Sequence, residues 1–315
     1  MHANLTGMVE RLKRSIWLSL CLCLLGTPAF AEPEINLKGV IDFHVHSGPD
    51  STPRTIDADD LARLAKKSGM RGLVLKNHFE PTADVAYLVR KQAPGLEVFG
   101  GITMDLTNGG INIEAVKRMA MVSGGYGRIV WLPTQNAEND ASHRSETAVV
   151  PVARDGKLLP NVLELIDFIA KNPNLVLETG HISADEILLL TRAAKERGVK
   201  HVVVTHAMYF LENMTIPQMQ QAARDGALIE FDADGPFSGP QPRRTMAEYA
   251  EAIRQIGAEH CILATNYGSV HKPPFPMHPQ GMLNFMNALH KEGISVADIN
   301  QMAKTNPALA LGLKP

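Results

Sequence analysis

The chain is poor in cysteine. Only three of its 315 residues are cysteines, and two of these, Cys21 and Cys23, lie in an apolar segment near the N-terminus. Neither follows the small-residue pattern of a lipid-modified cysteine, so we expect no lipoprotein. Without that segment Cys261 has no partner, and an internal disulfide is excluded. Stability must therefore come from a large packed core.

The sequence also lacks an apolar run long enough to cross a bilayer. The N-terminal run, residues 16–25, falls short of the roughly 20 residues that a spanning helix needs. Three basic residues at positions 11–14 precede it, and a small-residue site at 29–31 follows. This order is typical of a secretory signal peptide. We expect residues 1–31 to be removed, which leaves a periplasmic or secreted protein.

No strong excess of either charge is present. The chain has 33 acidic and 31 basic residues, and the signal peptide contains one acidic and three basic ones. Its removal leaves 32 acidic and 28 basic residues, a formal charge of −4. That balance argues against nucleic acid or an anionic membrane as a partner, and no membrane anchor is expected. The length suits one domain, residues 32–315. A small molecule is the expected partner, and homo-oligomerisation is left open.

Short apolar runs alternate with amphipathic segments along the rest of the chain. This alternation predicts parallel strands joined by helices. Two segments begin with capping boxes, Ser183 with Glu186 and Thr245 with Glu248. The eight runs are 40–47, 72–78, 97–105, 128–134, 175–182, 201–207, 228–234 and 261–268.

An eight-strand count favours an α/β (β/α)8 TIM barrel over an open doubly wound sheet. No glycine-rich phosphate loop follows the first predicted strand, as a doubly wound nucleotide-binding sheet would require. The longest irregular stretch, residues 135–160, follows the fourth strand. We predict that it forms a lid or a substrate loop at the rim of the barrel.

Histidines stand at the carboxyl ends of three predicted strands, where such barrels place their chemistry. His44 and His46 end the first strand two residues apart, so their side chains point to one side and can chelate one ion. His181 ends the fifth strand and His206 the sixth. We predict that these four hold a divalent metal, with Zn²⁺ favoured. His78, after the second strand, is predicted to contact substrate.

The remaining histidines predict no ligand role. His201 and His260 begin strands, on the face that usually serves stability. A solvated side chain is expected for the others, which lie in loops or helices, although residues 272–277 between two of them are an open candidate for the pocket rim. These four are His143, His271, His278 and His290.

Lys76 is unusual at a strand end, because a buried ammonium group is costly unless it is paired. We predict that it faces an anion, either Glu178 or a carboxylate of the substrate. Arg54, in the first strand-to-helix loop, is a candidate to hold the same substrate group with two hydrogen bonds. An ordinary surface lysine is the alternative.

The pair His44 and His46, followed by His181 and His206, resembles the amidohydrolase superfamily. That resemblance spans the mature chain and implies a (β/α)8 metal hydrolase. The settings Thr-Gly-His and Val-Thr-His are similar to those of an uncharacterised branch, so chemistry class but not substrate is implied.

Two departures from the superfamily pattern limit what the resemblance implies. Asn266 occupies the end of the eighth strand, where members usually carry an aspartate that takes a proton from the attacking water, and an amide cannot act as that base. The end of the fourth strand, residues 131–134, offers no bridging ligand. One ion is therefore favoured over two, although Lys76 or Glu178 could supply a bridging or charge-balancing group from another strand. The proton would then pass to Glu178, Asp232 or Asp234. Asp232 and Asp234 are equally compatible with capping or solvated roles.

Three functions remain open on the sequence alone. The first is hydrolysis of an amide, ester or lactone bond in a small molecule, with Asn266, Glu178 and Lys76 in the catalytic set. The second is metal-dependent decarboxylation or another lyase reaction, which the missing carboxylate and the cations Lys76 and Arg54 suggest. The third is metal or ligand binding without catalysis.

Overall fold

Ten strands occur in the computed structural model, which describes residues 34–145, 147–237, 244–270 and 278–315. The signal peptide predicted for residues 1–31, the loop 272–277 and His271 lie outside the described residues. The strands are β1 (Ile41–His46), β2 (Gly72–Lys76), β3 (Glu97–Thr103), β4 (Gly127–Trp131), β5 (Ala153–Arg154), β6 (Lys157–Leu158), β7 (Val176–Glu178), β8 (Val202–Val204), β9 (Ala227–Asp232) and β10 (Cys261–Ala264).

Eight of these strands form one parallel sheet in the order β1-β2-β3-β4-β7-β8-β9-β10, while β5 and β6 form a separate antiparallel hairpin. The chain just after β10 returns to β1. Asn266 N–H donates to the carbonyl of His44 at 2.8 Å, and His46 N–H donates to the carbonyl of Tyr267 at 2.7 Å. The predicted eight-strand barrel is confirmed, because strand order follows chain order and does not reverse as in a doubly wound sheet.

Helices cover the outside of the barrel. Capping boxes start α6 at Ser183 and α9 at Thr245, as predicted, and a third starts α7 at Thr215. The helices are α1 (Ala58–Lys67), α2 (Ala83–Gln92), α3 (Ile113–Ala120), α4 (Glu138–Arg144), α5 (Pro160–Ala170), α6 (Ala184–Glu196), α7 (Ile216–Arg224), α8 (Asp234–Phe237), α9 (Met246–Ile256), α10 (Gln280–Lys291), α11 (Val296–Asn300) and α12 (Asn306–Ala310).

Two apolar clusters hold the fold together. The larger lies between the strands and the surrounding helices. The smaller draws buried side chains such as Phe43, Phe99 and Trp131 from most of the barrel strands and is closed by residues of α12. It fills the inside of the barrel, and the polar residues His46, Lys76 and Glu178 end three of the strands around it. Within the described ranges, no helix has both the length and the apolar character to cross a membrane.

The segment predicted to be irregular, residues 135–160, contains regular structure. It carries α4 of seven residues and the β5–β6 hairpin, whose strands have two residues each. Elements this short span too few residues to show a helical or strand period in the sequence. We call residues 135–160 the β4 insertion.

Candidate active site

Five histidines gather at the carboxyl end of the barrel. His44 and His46 are the fourth and last residues of β1, His78 follows β2, His181 follows β7 and His206 follows β8. His78 is half-buried, and the other four are buried. The four predicted metal ligands therefore lie together, and His78, predicted to contact substrate, lies among them.

The five imidazoles form a closed circle of neighbours, the five-histidine cluster. Ring centroids are 5.3 Å apart for His44 and His46, 5.0 Å for His46 and His78, and 5.5 Å for His78 and His181. His181 and His206 are 5.0 Å apart, and 5.7 Å separates His206 from His44. Two imidazoles that share one tetrahedral Zn²⁺ at about 2.0 Å would have centroids about 5 Å apart.

The cluster is not arranged as a finished metal site. Among the described residues, no group of three or more His, Cys, Asp or Glu side chains has the geometry to hold an ion. The imidazole donors and their centroid spacing are nevertheless compatible with a divalent metal.

Buried carboxylates hold two of the imidazoles through Nδ1. His44 Nδ1 lies 2.9 Å from Glu230 Oε1, and His206 Nδ1 lies 3.0 Å from Glu212 Oε2. Burial raises the pKa of both carboxyl groups, that of Glu212 to about 8. In its ionised form each carboxylate accepts the Nδ1 proton, and Nε2 then keeps its lone pair. His44 Nε2 is buried and has no partner within the described part of the chain. An orphaned buried acceptor of this kind fits a metal ligand.

His181 and His78 are held in the same way from the other side of the cluster. His181 Nδ1 lies 2.7 Å from Asp140 Oδ2. His78 Nδ1 lies 2.8 Å from the Thr134 hydroxyl, which itself donates to Asp105. The Thr134 oxygen is thus an acceptor for His78 Nδ1–H. Four of the five imidazoles therefore have Nδ1 engaged by groups outside the cluster.

Burial keeps the cluster neutral. It holds the pKa values of His44, His46 and His78 well below the usual range, and the Lys76 ammonium adds to the effect on all three. Burial likewise lowers the pKa of His206 to about 4. Neutral imidazole is the form that binds a metal, so no proton has to be displaced near pH 7.

Lys76, the last residue of β2, is fully buried near the cluster. Its ammonium group has no hydrogen-bond partner among the residues described and lies 5.7 Å from the centre of the Trp131 ring. Burial lowers the pKa of Lys76, and the nearby charge of Glu178 is the main opposing influence. The alternative of an ordinary surface lysine is wrong, since the side chain is 1% exposed.

Glu178, the last residue of β7, is buried beside this ammonium group. One carboxyl oxygen, Oε2, accepts a hydrogen bond from the Thr205 hydroxyl at 3.0 Å. The other, Oε1, is buried without a partner in the described ranges. Burial raises the pKa of Glu178 to about 7, although Lys76 pulls it down. The carboxyl group can therefore exchange a proton near neutral pH.

Arg54 lies in the β1–α1 loop with its side chain almost completely buried. Its Nε donates to Asp50 at 2.6 Å and its Nη1 donates to Ser269 at 3.0 Å. After burial, the positive charge of Arg54 is the next influence that lowers the pKa of His46. Because Nε and Nη1 are both engaged, the predicted hold on a substrate group through two hydrogen bonds would have to rely mainly on Nη2.

Asn266, after β10, links the cluster to a buried carboxylate. Its Nδ2 donates to Asp232 Oδ2 at 3.1 Å, and the Tyr249 hydroxyl donates to Asp232 Oδ1 at 3.1 Å. Hydrogen bonding between Asn266 and His46 raises the pKa of that histidine against the larger effect of burial. Burial raises the pKa of Asp232. Burial also raises the pKa of Asp234, to about 8.

The residues that support the imidazoles were not predicted from the sequence. Glu230 interrupts the apolar run of β9, and that interruption was a usable signal. Asp105 ends a predicted strand and was also detectable. Glu212 and Asp140 lie in a loop and in the β4 insertion. No local pattern marks those two, because their contacts depend on the fold.

The remaining histidines divide as follows. His278, predicted to be solvated, is buried with Nε2 2.9 Å from Asp42 Oδ2, because the chain entering α10 packs against β1. His290 is half-buried and bonds the Ile294 carbonyl through Nδ1. His143 is exposed, as predicted. His201 and His260 precede β8 and β10, at the end of the barrel away from the cluster.

A family model matches residues 39–230, which is more than half of the chain. Its description is "Family of unknown function (DUF6282)". The chain belongs to this family. No curated protein sequence matches this DUF6282 member.

Solved structures share the fold at low sequence identity. An amidohydrolase from Pseudomonas aeruginosa has a TM-score of 0.59 and 13% identity, covering 87% of this chain and 95% of its own. An organophosphorus hydrolase from Deinococcus radiodurans has a TM-score of 0.57 and 14% identity, and the match covers 90% of this chain and 100% of that one. A putative 2-pyrone-4,6-dicarboxylic acid hydrolase from Pseudomonas putida has a TM-score of 0.55 and 16% identity, and the match covers 88% of this chain and 98% of that one. The resemblance to the amidohydrolase superfamily is confirmed at the level of the fold.

Proposed function

We propose that this DUF6282 member is a metal-dependent hydrolase of an amide, ester or lactone bond in a small molecule. The observation that carries the proposal is the five-histidine cluster, in which outer groups engage Nδ1 of four imidazoles and leave Nε2 for a ligand. The structural neighbours include an amidohydrolase, an organophosphorus hydrolase and a putative 2-pyrone-4,6-dicarboxylic acid hydrolase, which supports the reaction class.

His44, His46, His181 and His206 would hold one divalent ion, with His78 beside them. All-imidazole donors favour Zn²⁺. A bound ion of this kind polarises a carbonyl group and brings the pKa of water toward neutrality.

Glu178 is the proton acceptor that the geometry favours. It has a buried oxygen without a partner and a pKa of about 7, which suits transfer at neutral pH. Both oxygens of Asp232 already receive hydrogen bonds, from Asn266 and Tyr249. We assign Asn266 the role of orienting His46 against Asp232, since its amide cannot take a proton.

Lys76 would bind a carboxylate of the substrate. Its buried ammonium group has no hydrogen-bond partner among the described residues, so an incoming anion would compensate its desolvation. The same observation favours a second candidate function, decarboxylation. An ammonium group that holds a carboxylate next to a metal is equally suited to the loss of CO₂, and Asn266 leaves the last strand without the usual base.

Metal analysis and two assays separate these functions. Protein purified without chelators is analysed for metal and then offered carboxylate-bearing esters and lactones, with CO₂ release from aromatic acids followed in parallel. We expect about one ion per chain and hydrolysis that Glu178→Gln lowers by about 10²- to 10⁴-fold. Release of CO₂ without hydrolysis would establish the second function. Tight metal binding with neither reaction would mean a binding protein.

We also propose that the mature protein acts outside the cytoplasm on a soluble small molecule. Support comes from the order of charge, apolar run and small-residue site in the first 31 residues.

A further inference from the structure

The β4 insertion has an internal clamp of its own. Arg154, on β5, bonds both carboxyl oxygens of Glu138 in α4, with Nη1–Oε2 at 2.6 Å and Nη2–Oε1 at 2.8 Å. Parallel bonds of this type fix the relative orientation of two groups. The hairpin therefore contacts the first turn of α4 through a partly exposed ion pair of defined geometry.

Residues of that first turn form hydrogen bonds with two neighbouring loops at the rim of the barrel. Asn139 Nδ2 donates to the carbonyls of His181 at 3.2 Å and Leu211 at 2.9 Å. Asp140 is 5% exposed, and its Oδ2 lies 2.7 Å from His181 Nδ1. Its other oxygen accepts a bond from Arg144 Nε at 3.1 Å. Backbone and side chain of His181 are thus both held by α4.

The other carboxylates that support the cluster belong to different parts of the chain. Glu230 lies on β9 and supports His44, while Glu212 lies in the loop after β8 and supports His206 in the same loop. Asp140 is carried by a short helix that packs onto the barrel from the rim. Its distance to His181 therefore depends on how the insertion docks.

We propose that Asp140 is a positioning residue for His181, and that docking of the β4 insertion sets the orientation of this imidazole. Asp140 accepts the Nδ1 proton and leaves Nε2 of His181 as the lone-pair donor. A change in how the insertion docks would then alter the affinity of the cluster for its ligand. This inference rests on the proposed function in one respect, that His181 Nε2 binds the metal.

Imidazole ¹⁵N NMR of the metal-free protein tests the positioning step without any assay of activity. Wild type is expected to show His181 as one tautomer, protonated at Nδ1. Asp140→Ala should give a mixture of both tautomers, and Asp140→Glu should restore part of the preference. A single Nδ1–H tautomer that persists in Asp140→Ala would overturn the proposal. If Asp140→Ala loses the folded spectrum, the same tautomer measurement is made on Asp140→Asn, which keeps an acceptor oxygen without the charge.

Metal titration tests the consequence. Removal of an outer carboxylate from a ligating histidine typically costs about 10- to 100-fold in metal affinity, and we expect that range for Asp140→Ala. Zn²⁺ alone is the probe. Failure of the wild type to bind Zn²⁺ would count against the proposed function, while the tautomer measurement would still decide the role of Asp140.

The clamp gives a matched pair of variants. Arg154→Ala removes the hydrogen bonds to Glu138, which lie outside the cluster. It should weaken Zn²⁺ binding, but by less than Asp140→Ala does. It should also reduce the preference of His181 for one tautomer. Arg63→Ala breaks a similar arginine pairing with Asp59 and Asp60 on α1 and should change neither. Equal behaviour of the two arginine variants would contradict the role of docking.

Discussion

Asn266 combines an unusual backbone conformation with a buried side-chain hydrogen bond. It adopts a left-handed backbone conformation, with φ of 54°, and its side chain bonds a buried carboxylate. Asparagine tolerates this conformation better than most residues do. Its amide donates to Asp232, which an aspartate at the same position could do only when protonated. The residue therefore suits the local backbone and the local charge, as well as the His46 contact.

We predict that Asn266→Asp changes hydrolytic activity by less than about tenfold, because the new carboxyl group would face Asp232 and share a proton with it instead of serving as a free base. The kcat/KM ratio on esters and lactones is the measurement. Asn266→Ala serves as the comparison and should cost a moderate factor. A hundredfold gain over an inactive wild type would contradict the hydrolase proposal in favour of lost activity.

We expect His44→Ala and His46→Ala to lower metal occupancy sharply while far-UV circular dichroism stays nearly unchanged. Both side chains lie at the carboxyl end of the barrel, away from the apolar filling. Metal analysis by mass spectrometry is the readout. His201→Ala, at the other end of the barrel, should keep the metal. Equal metal loss in all three variants would refute the assignment of metal ligands to the carboxyl ends of the strands alone.

His201 gives a pH prediction. Burial, followed by the charges of Lys200 and Arg128, lowers its pKa from 6.5 to about 4. The unfolded chain therefore binds this proton first as pH falls, and the folded state loses stability between pH 6.5 and 4. His201→Gln should reduce the difference between the free energies of unfolding measured in urea at pH 7.5 and at pH 4.5. The exposed His260→Gln is the control, and the same reduction there would argue against burial as the cause.

At the level of elements, the sequence predicted the strands better than the supports of the site. Strand ends such as His44 and His206 were visible because barrel strands are continuous apolar runs that stop at a polar residue. The carboxylates of Asp140 and Glu212 come from an insertion and a loop, where no periodic pattern assigns a contact partner. His278 was misjudged for a related reason, since its burial depends on the packing of distant β1.

We predict that Ser183→Ala lowers the free energy of unfolding by about 1 kcal/mol without changing metal affinity. Ser183 lies two residues beyond the cluster member His181. It caps α6 and accepts a hydrogen bond from the backbone N–H of Glu186. Chemical denaturation and Zn²⁺ titration measure the two quantities. Thr245→Ala, at the capping box of α9, is the matched variant. Weaker Zn²⁺ binding in Ser183→Ala alone would show that the helix start orients the histidine.

For the molecule as a whole, the alternation of runs along the chain was enough to predict the barrel. Eight strands in chain order with no reversal have one simple solution, a closed sheet. Closure itself involves Asn266 and Tyr267, which lie beyond the last strand and pair with β1. This register was not predictable, because it depends on the twist of all eight strands.

We predict that the exported protein begins near Glu32. Mass spectrometry of the N-terminus of protein collected from the periplasm or medium checks this, and an intact Met1 on that material would contradict it. A variant with the three basic residues at positions 11–14 replaced by serine should remain inside the cell, since the charged region precedes the apolar run.

The five-histidine cluster is divided along the chain. His44, His46 and His78 lie in the first third, whereas His181 and His206 follow more than a hundred residues later. A nascent or half-folded chain thus offers an incomplete set of imidazoles. On the proposed function, tight metal binding would require both halves of the barrel to have paired, so metal uptake would report a late step of assembly.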